Sequence, residues 1–295
     1  MKVVNDGMPE VIYKALCNDK YDPGDSDYTP SSLNEPAYLR RLKKEFGDQV
    51  EEPASSRVWA LIGSSVHYMI ELAEEGSSNT ECERRFYGTI DTGFGPFKIG
   101  SQVDILDHDK NGIFDMKVTS SWSYGKGVKP EWESQLNVGR WCIFQETGQL
   151  VDNLNIVAIW RDWQMSKKDN PDYPSSQVSL IEVPVWDMGR THKWIMEQVI
   201  DREIAMTQDS IADVLPCTEE EMWAKPSKWA VVKEKGGRAT KVFDLERSAL
   251  EYVSEKPQYI VEKRHGARTR CEGYCPVAKF CPSYQQHLKK FGGKR

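Results

Sequence analysis

Hydrophobic and polar residues alternate through the middle of the chain, which is the period of two that β-strands show. The alternation predicts strands over residues 81–92, 95–106 and 112–118, and the turn-rich sequence DHDKNG joins the last two. Two further strands are predicted over 151–161 and 177–185. The sequence therefore places a strand meander at the centre of the chain and more strands behind it.

Apolar residues at helical spacing indicate helices on both sides of the meander. Ser31 or Ser32 is expected to cap one of them, because serine oxygens accept hydrogen bonds from the first free N–H groups of a helix. The order of these elements predicts an α/β (α+β) fold, with a mixed central sheet flanked by helices. The predicted helices cover residues 9–16, 33–46, a segment from about 55, and then 131–144, 188–207 and 245–255.

These elements, and a sequence beyond residue 208 that contains clustered cysteines, divide the chain into three predicted regions. We expect an N-terminal helical region at 1–55, a core at 56–208, and a C-terminal region at 209–295 that holds clustered cysteines and packs on the core. A chain of 295 residues is long enough to bury a sizeable core.

Composition narrows the class of protein. No apolar run approaches the roughly 20 residues that span a bilayer, and the first residues contain no hydrophobic signal core. We therefore expect a cytoplasmic protein with no membrane partner, in which the seven cysteines are reduced. The formal net charge of −6 argues against a general polyanion binder, although local charge decides what a particular site attracts.

Asp115 and Lys117 are two residues apart on a predicted strand and therefore project from the same face. If the preceding turn is centred on Asp109 and Lys110, Asp104 lies opposite Asp115 on that face, but the sequence does not fix this register. Two carboxylates supply the oxygen ligands of a hard cation such as Mg²⁺, and a charged group beside them can place the water that attacks a phosphodiester. A solvated polar strand face would show the same residues, so the pattern needs support from elsewhere.

Two predicted helices give such support. Gly63 and His67 are four residues apart on the helix that begins near 55, so they share a face that another group can approach closely. Gln135 lies on the helix that follows the meander. Trp122 and Trp132 flank the intervening loop, where they could stack on unpaired bases, although tryptophans are more often core residues.

Cys271, Cys275 and Cys281 are separated by three and five residues, with glycine and prolines around them. In a reducing compartment this grouping indicates a metal site rather than disulfides, and such a site needs a fourth soft ligand. Cys217 is the first choice for that ligand, and Cys17 is the rival.

The C-terminal segment is basic, because nine lysines and arginines face two glutamates between residues 262 and 295. We expect a phosphate-contacting surface there, with Arg264, Arg268 and Arg270 as DNA-binding residues. A solvated tail is the alternative, and it is favoured for Lys294 and Arg295.

Gly63 and His67, then Asp104, the Asp115-x-Lys117 pair, Gln135 and the cysteine triplet occur in this order along the chain. With this ordered set the chain resembles the RecB-type branch of the PD-(D/E)xK exonucleases, in particular members with a C-terminal iron–sulfur cysteine cluster. These include nucleases of CRISPR adaptation and AddB nuclease domains, and above all their stand-alone phage-encoded relatives. The resemblance covers residues 28–284.

The resemblance implies a restriction-endonuclease-like PD-(D/E)xK core whose site holds Mg²⁺ or Mn²⁺. His67, Asp104 and Asp115, with the carbonyl of Met116, would ligate one or two such ions. Lys117 would orient the attacking water, help to deprotonate it, and offset the charge that develops on the phosphate.

The family's QxxxY motif is matched only in part. Gln135 corresponds to its glutamine, which contacts the substrate near the cleaved phosphate. Gly139 stands where the family has tyrosine, so a DNA contact is missing or is supplied by Arg140 or Trp141.

The cysteines correspond to the family's cluster motif. Cys271, Cys275 and Cys281 would hold a [4Fe–4S] cluster, with Zn²⁺ as the alternative because the first spacing is three rather than two. Cys217 matches a cysteine of the nearer relatives, whereas Cys17 matches the N-terminal position of better-known members, so the fourth ligand stays open.

The implied function is that of a metal-dependent DNA exonuclease acting at ends or in single strands, in phage-type replication, recombination or degradation of DNA in the host cytoplasm. The chain has no G-x-x-x-x-G-K-[ST] phosphate loop, so it would depend on exposed ends or on a helicase or recombination partner. One alternative is a catalytically silent, metal-stapled DNA-binding or recombination module. A second is an iron–sulfur electron-transfer protein.

Overall fold

The structure is a computed structural model that describes residues 1–18, 22–234, 236 and 238–291, so Lys294 and Arg295 lie outside the described residues. The helices are α1 Glu10–Cys17, α2 Pro30–Leu33, α3 Ala37–Phe46, α4 Val58–Ala73, α5 Pro130–Thr147, α6 Met188–Thr207, α7 Glu246–Val253, α8 Thr269–Gly273 and α9 Pro282–Phe291. The strands are β1 Lys2–Val4, β2 Glu51–Pro53, β3 Thr80–Thr92, β4 Gly95–Asp107, β5 Gly112–Thr119, β6 Asn153–Trp160, β7 Val178–Glu182, β8 Lys228–Lys233, β9 Ala239–Phe243 and β10 Tyr259–Arg264.

Contacts divide the chain into two compact units. The first comprises residues 2–35 and 51–204, and the second comprises Met1, 36–50 and 205–295. Residues 36–50, which the sequence groups with an N-terminal helical region, therefore share their contacts with the C-terminal part of the chain.

The first unit is built on a five-stranded sheet in the order β3-β4-β5-β6-β7. The pairs β3–β4, β4–β5 and β6–β7 are antiparallel, whereas β5 and β6 are parallel because α5 crosses between them. Helices α4 and α5 pack against this sheet. The predicted mixed sheet flanked by helices is confirmed.

The alternating pattern explains how α5 is buried against β3. Phe86 and Ile90 lie on either side of Gly88 on one face of β3, and both are buried. A Cβ at Gly88 would lie 2.3 Å from a ring carbon of Trp141, so only glycine allows the indole of α5 to approach the strand this closely. This contact fixes the distance between the helix and the sheet.

The predicted helix over 33–46 is confirmed only from Ala37 to Phe46, because Pro36 separates α3 from the short helix α2 before it. Pro36 lacks an N–H and disfavours helical geometry at the residue before it. The cap also differs from the prediction: Thr29 is the N-cap of α2 and exchanges hydrogen bonds with Ser32. The guanidinium of Arg202 donates to the carbonyls of Leu33 and Glu35, which satisfies acceptors that the broken helix leaves open.

The second unit has a three-stranded antiparallel sheet in the order β10-β8-β9, which the sequence pattern did not reveal. Its other core is formed by α3 and by the residues around the cysteines, where Leu39 and Leu42 are buried with Val277 and Cys281. None of the helices in the described part of the chain is both long and apolar enough to cross a membrane.

Candidate metal centre

Two aspartates on neighbouring strands form the centre of the site. Ile105 of β4 pairs with Phe114 of β5, so Asp104 and Asp115 occupy the next position of the same register. This register is the one expected from the sequence if the turn is centred on residues 109 and 110. Both carboxylates are buried, with exposures of 8% and 3%, and the Met116 N–H donates to Asp104 Oδ2 at 2.7 Å.

Burial and like charge make this pair of carboxylates unfavourable without a cation. Burial, and then repulsion by Asp115, raises the pKa of Asp104 to about 7. Lys117 Nζ lies 2.5 Å from Asp115 Oδ2, and Gln135 Nε2 donates to Oδ1 of the same carboxylate at 2.8 Å. The contact with Lys117 is ionic but lacks the angles of a hydrogen bond, so Oδ2 is a buried oxygen without a hydrogen-bond partner among the described residues.

A histidine and a third carboxylate complete the site. His67 Nδ1, on α4, lies 2.8 Å from Glu83 Oε1 and 3.6 Å from Asp104 Oδ2. The hydrogen bond to Glu83 is the largest cause that raises the pKa of His67, although burial acts against it. Burial likewise opposes ionisation of Glu83, but the hydrogen bonds from His67 and Gln102 outweigh it and lower the pKa of Glu83.

His67, Glu83 and Asp104 each offer one ligand atom, and these atoms lie within 4.8 Å of one another. Carboxylate oxygens with one imidazole nitrogen suit a divalent ion, and the histidine makes the site at least as suitable for Mn²⁺ as for Mg²⁺. Asp115 is not part of this group, and its Oδ2 already has the Lys117 ammonium 2.5 Å away.

Glu83 was not among the residues predicted from the sequence. The signal that could have identified it is the β3–β4 hairpin, whose paired ends Thr92 and Gly95 fix a register that brings residue 83 opposite Asp104. Glu83 has a φ of 53°, which is uncommon for a glutamate.

Neighbouring side chains hold the Glu83 carboxylate in place. Gln102 Nε2 donates to Glu83 Oε2 at 2.5 Å, and Arg85 donates to Gln102 Oε1 at 2.6 Å. Arg85 also donates to the carbonyl of Asp22 at 2.6 Å. Such supporting hydrogen bonds orient a ligand and restrict its rotamers.

The metal centre opens into a groove of about 960 Å³. Residues of α1, α4 and the start of α2 line it, together with His67, Glu83, Asp104, Lys117 and Gln135. These five residues, which lie on α4, β3, β4, β5 and α5, therefore line one accessible space.

The second unit brings four cysteines together. Cys217, Cys271, Cys275 and Cys281 line one cavity of about 30 Å³, whereas Cys17 is exposed at the end of α1. Burial is the main cause that raises the pKa of Cys217 to about 12 and that of Cys271 to about 11. Neighbouring thiols add to both shifts, so these four groups would favour a cation among them.

The predicted DNA contacts fall in different environments. Arg140 is 6% exposed and donates to the carbonyls of Val151 and Trp186, so the structure does not support a DNA contact by this residue. Trp141 is buried as well.

The C-terminal arginines also differ from one another. Arg264 is exposed on β10, whereas Arg268 and Arg270 are half-buried. Arg270 lines the cysteine cavity, and both half-buried arginines act electrostatically on Cys271. Of the three, Arg264 is the one best placed to meet a ligand in solution.

No protein-family model matches the sequence, and no curated protein matches it. Among solved structures the chain is similar to that of SSO0001, with 16% identity, a TM-score of 0.48, and coverage of 72% of this chain and 90% of the other. It is also similar to an alkaline exonuclease, LHK-Exo, from Laribacter hongkongensis, with 16% identity and a TM-score of 0.29. That match covers 48% of this chain and 65% of the exonuclease, which is less than two thirds of its length. Neither likeness is close enough to assign a function to this chain.

Proposed function

We propose that this protein is a divalent-metal-dependent deoxyribonuclease of the PD-(D/E)xK class, an exonuclease that hydrolyses DNA at ends or in single strands. The observation that supports this most is that His67, Glu83, Asp104 and Lys117 line one groove, with the buried Asp115 carboxylate 2.5 Å from Lys117 Nζ. Acidic ligands for a cation, beside a fixed ammonium, are the groups that phosphodiester hydrolysis needs.

The metal ligands would be His67, Glu83, Asp104 and Asp115, with the carbonyl of Met116. A bound Mg²⁺ or Mn²⁺ supplies positive charge at the phosphate and lowers the pKa of a water.

Lys117 would orient the attacking water and offset charge on the phosphate, and Gln135 would keep Asp115 in one orientation through its bond to Oδ1. The water oxygen forms a bond to phosphorus and the P–O bond to the leaving nucleotide breaks. The water loses a proton to solvent, and the leaving oxygen gains one.

The cysteine site has a separate, structural role in this proposal. Cys217, Cys271, Cys275 and Cys281, which line one cavity, would hold a [4Fe–4S] cluster, with Zn²⁺ as the alternative. Metal bound there contributes folding free energy to the second unit, and hydrolysis needs no redox step.

The biological setting follows from the resemblance alone. The protein would act in phage-type DNA replication, recombination or degradation in the cytoplasm of the host cell. Since its sequence lacks a nucleotide-binding phosphate loop, it would use exposed ends or work with a helicase or recombination partner.

Digestion of end-labelled DNA tests the proposal. Anaerobically purified protein is given single- and double-stranded DNA with Mn²⁺, Mg²⁺ or EDTA, and the position of the label gives the polarity. We expect metal-dependent shortening that Asp115→Asn abolishes and Asp172→Asn, an exposed control, retains. Wild-type protein that binds DNA but cleaves none of it with either ion would instead establish the silent DNA-binding module.

A further inference from the structure

Two tryptophans of the first unit are strongly exposed, and each has a cation over its ring. Trp59 on α4 is 53% exposed, with the Arg161 guanidinium 4.0 Å from the ring centroid. Trp122 is 77% exposed, with Lys126 Nζ 2.6 Å from its ring centroid. Each of these indoles therefore has ring surface in solvent beside a cation, where a planar ligand can contact it.

The first pair adjoins the metal centre. The backbone N–H of Arg161 donates to the carbonyl of Thr119 at 2.9 Å, and Thr119 follows Lys117 by two residues on β5. On the other side, Ala60 and Leu61, next to Trp59, line the groove that contains the metal centre.

Hydrogen bonds hold the loop that carries Trp122 beside Arg161. The hydroxyl of Ser120 and the backbone N–H of Ser121 both donate to the Asp162 carboxylate at 2.6 Å, and Asp162 is the residue after Arg161. Tyr124, at the end of this loop, packs edge-on against the buried Trp160 with ring centroids 5.8 Å apart. The loop is therefore anchored although its tryptophan is exposed.

A third cation joins this surface. Lys129 Nζ lies 4.3 Å from the ring centroid of Trp132. The pKa of Lys129 is lowered mainly by burial, which Glu131 opposes and the nearby Arg161 reinforces. Trp59, Trp122, Lys126, Lys129 and Arg161 form what we name the tryptophan rim. Its three like charges and two exposed indoles fit a ligand that offers negative charges and planar rings in alternation.

We propose that the tryptophan rim binds a segment of single-stranded DNA whose end enters the groove at the metal centre. This inference rests on the proposed nuclease function, because it names the form of DNA that the same site receives. Unpaired bases offer faces for stacking and phosphates offer charge to the three cations, whereas a duplex keeps its base faces inside the stack.

Binding in the absence of a divalent ion tests the rim without requiring cleavage. Anisotropy of a fluorescein-labelled deoxyoligonucleotide is measured in EDTA for the wild type, Trp59→Ala, Trp122→Ala, Trp122→Phe and Phe144→Ala. Phe144 is an exposed aromatic residue on α5 and serves as the matched control. The same proteins are titrated with the blunt duplex of that sequence and with the equivalent RNA.

We expect single-strand affinity to fall roughly 5- to 150-fold in each tryptophan-to-alanine variant, since that is the range of one base stacked on an aromatic ring. Trp122→Phe should restore most of the loss, Phe144→Ala should bind as the wild type does, and the duplex should bind more weakly than the single strand. Unchanged single-strand affinity in both alanine variants overturns the proposal, and tighter binding of RNA than of DNA overturns the assignment to DNA.

The outcomes distinguish the proposed rim from the proposed nuclease activity. If the wild type cleaves DNA and both alanine variants bind single strands normally, the nuclease proposal holds and the rim proposal fails. If the wild type does not cleave DNA but the alanine variants bind single strands more weakly than it does, the rim proposal holds and the nuclease proposal fails.

Discussion

Glu83 Oε1 lies 2.8 Å from His67 Nδ1, although the two residues belong to a strand and a helix that are separate in sequence. The backbone at Glu83 has a φ of 53°, a conformation that costs a non-glycine residue about 1 kcal/mol or more. The fold therefore accepts local strain at the position where a third carboxylate reaches the site.

Glu83→Gln should weaken Mn²⁺ binding by roughly 10- to 100-fold, because the amide keeps the size of the side chain but removes its charge. Isothermal titration with Mn²⁺ measures this. Glu81→Gln is the matched control, since Glu81 lies on the same strand and pairs with Arg84 and His108. Equal Mn²⁺ affinity in Glu83→Gln and the wild type would remove Glu83 from the ligand set.

The affinity for Mn²⁺ should rise with pH up to about 7. Asp104 has a pKa raised to about 7, so below that pH an entering ion must displace its proton. Asp104 alone should give a gain of about tenfold in affinity per pH unit in that range, and His67, whose pKa is also raised, should make the dependence steeper. Titrations between pH 5 and pH 8.5 would show the slope, and a flat profile would contradict the burial of Asp104.

The same pKa shift affects the stability of the metal-free protein. A carboxyl whose pKa rises on folding contributes stability that is fully present below its unfolded pKa, near 4, and is lost as the pH rises through about 7. Asp104→Asn keeps an acceptor for the Met116 N–H and should raise the metal-free melting temperature at pH 8 by a few degrees. A lower melting temperature at pH 8 than the wild type has would refute this account.

Gln135 should act on turnover more than on binding. Its amide holds Asp115 Oδ1, so Gln135→Leu should lower kcat by about 10- to 100-fold and leave KM within a few-fold. Gln145→Leu, at an exposed position of the same helix, is the control. A rise in KM with kcat unchanged would show instead that Gln135 contacts the substrate directly.

Arg140 and Arg264 should respond in opposite ways to substitution by methionine. Arg140→Met leaves two buried carbonyls without their donor and should cost about 2–4 kcal/mol in unfolding free energy, with DNA affinity of the folded protein unchanged. Arg264→Met, on an exposed strand, should change stability by less than about 0.5 kcal/mol and reduce the salt dependence of DNA binding by about one charge. Urea unfolding and binding at several salt concentrations give both quantities.

Cys217→Ser should remove bound iron and lower the melting temperature, while Cys17→Ser should change neither. Cys217 lines the cavity with the triplet, and Cys17 is exposed at the end of α1. Iron and sulfide analysis of anaerobic protein, with zinc measured in parallel, tests this. Zinc in stoichiometric amount without iron would show that these cysteines hold Zn²⁺ instead of an iron–sulfur cluster.

The elements of the meander were predictable because each strand is long and buries one face. The alternation located β3, β4 and β5 to within two residues, and α6 has the predicted limits. Helix α3 differs because a single proline outweighs the apolar pattern on either side of it. The β8–β10 sheet was missed because its strands are short, and only β8 carries a continuous buried run, Ala230, Val231 and Val232.

In the candidate site, too, local spacing was predictable from the sequence and tertiary packing was not. Asp115 and Lys117 are adjacent on one strand face, so spacing alone brought them together. The environment of Arg140 could not be predicted, because its partners, the carbonyls of Val151 and Trp186, depend on tertiary packing. Glu83 is intermediate between these two cases, because its position opposite Asp104 could be predicted only from the register of the β3–β4 hairpin.

The close contact between Gly88 and Trp141 affects the groove that His67, Glu83 and Asp104 line. Trp141 is six residues beyond Gln135 on α5, about 9 Å along the helix axis. The thickness of the indole sets how far the helix stands from the strand, and thereby whether the Gln135 amide reaches Asp115. A methyl group added at residue 88 would push the helix away from the strand. Mutation of residue 88 would therefore disturb the contact between Gln135 and Asp115, although residue 88 does not touch the substrate.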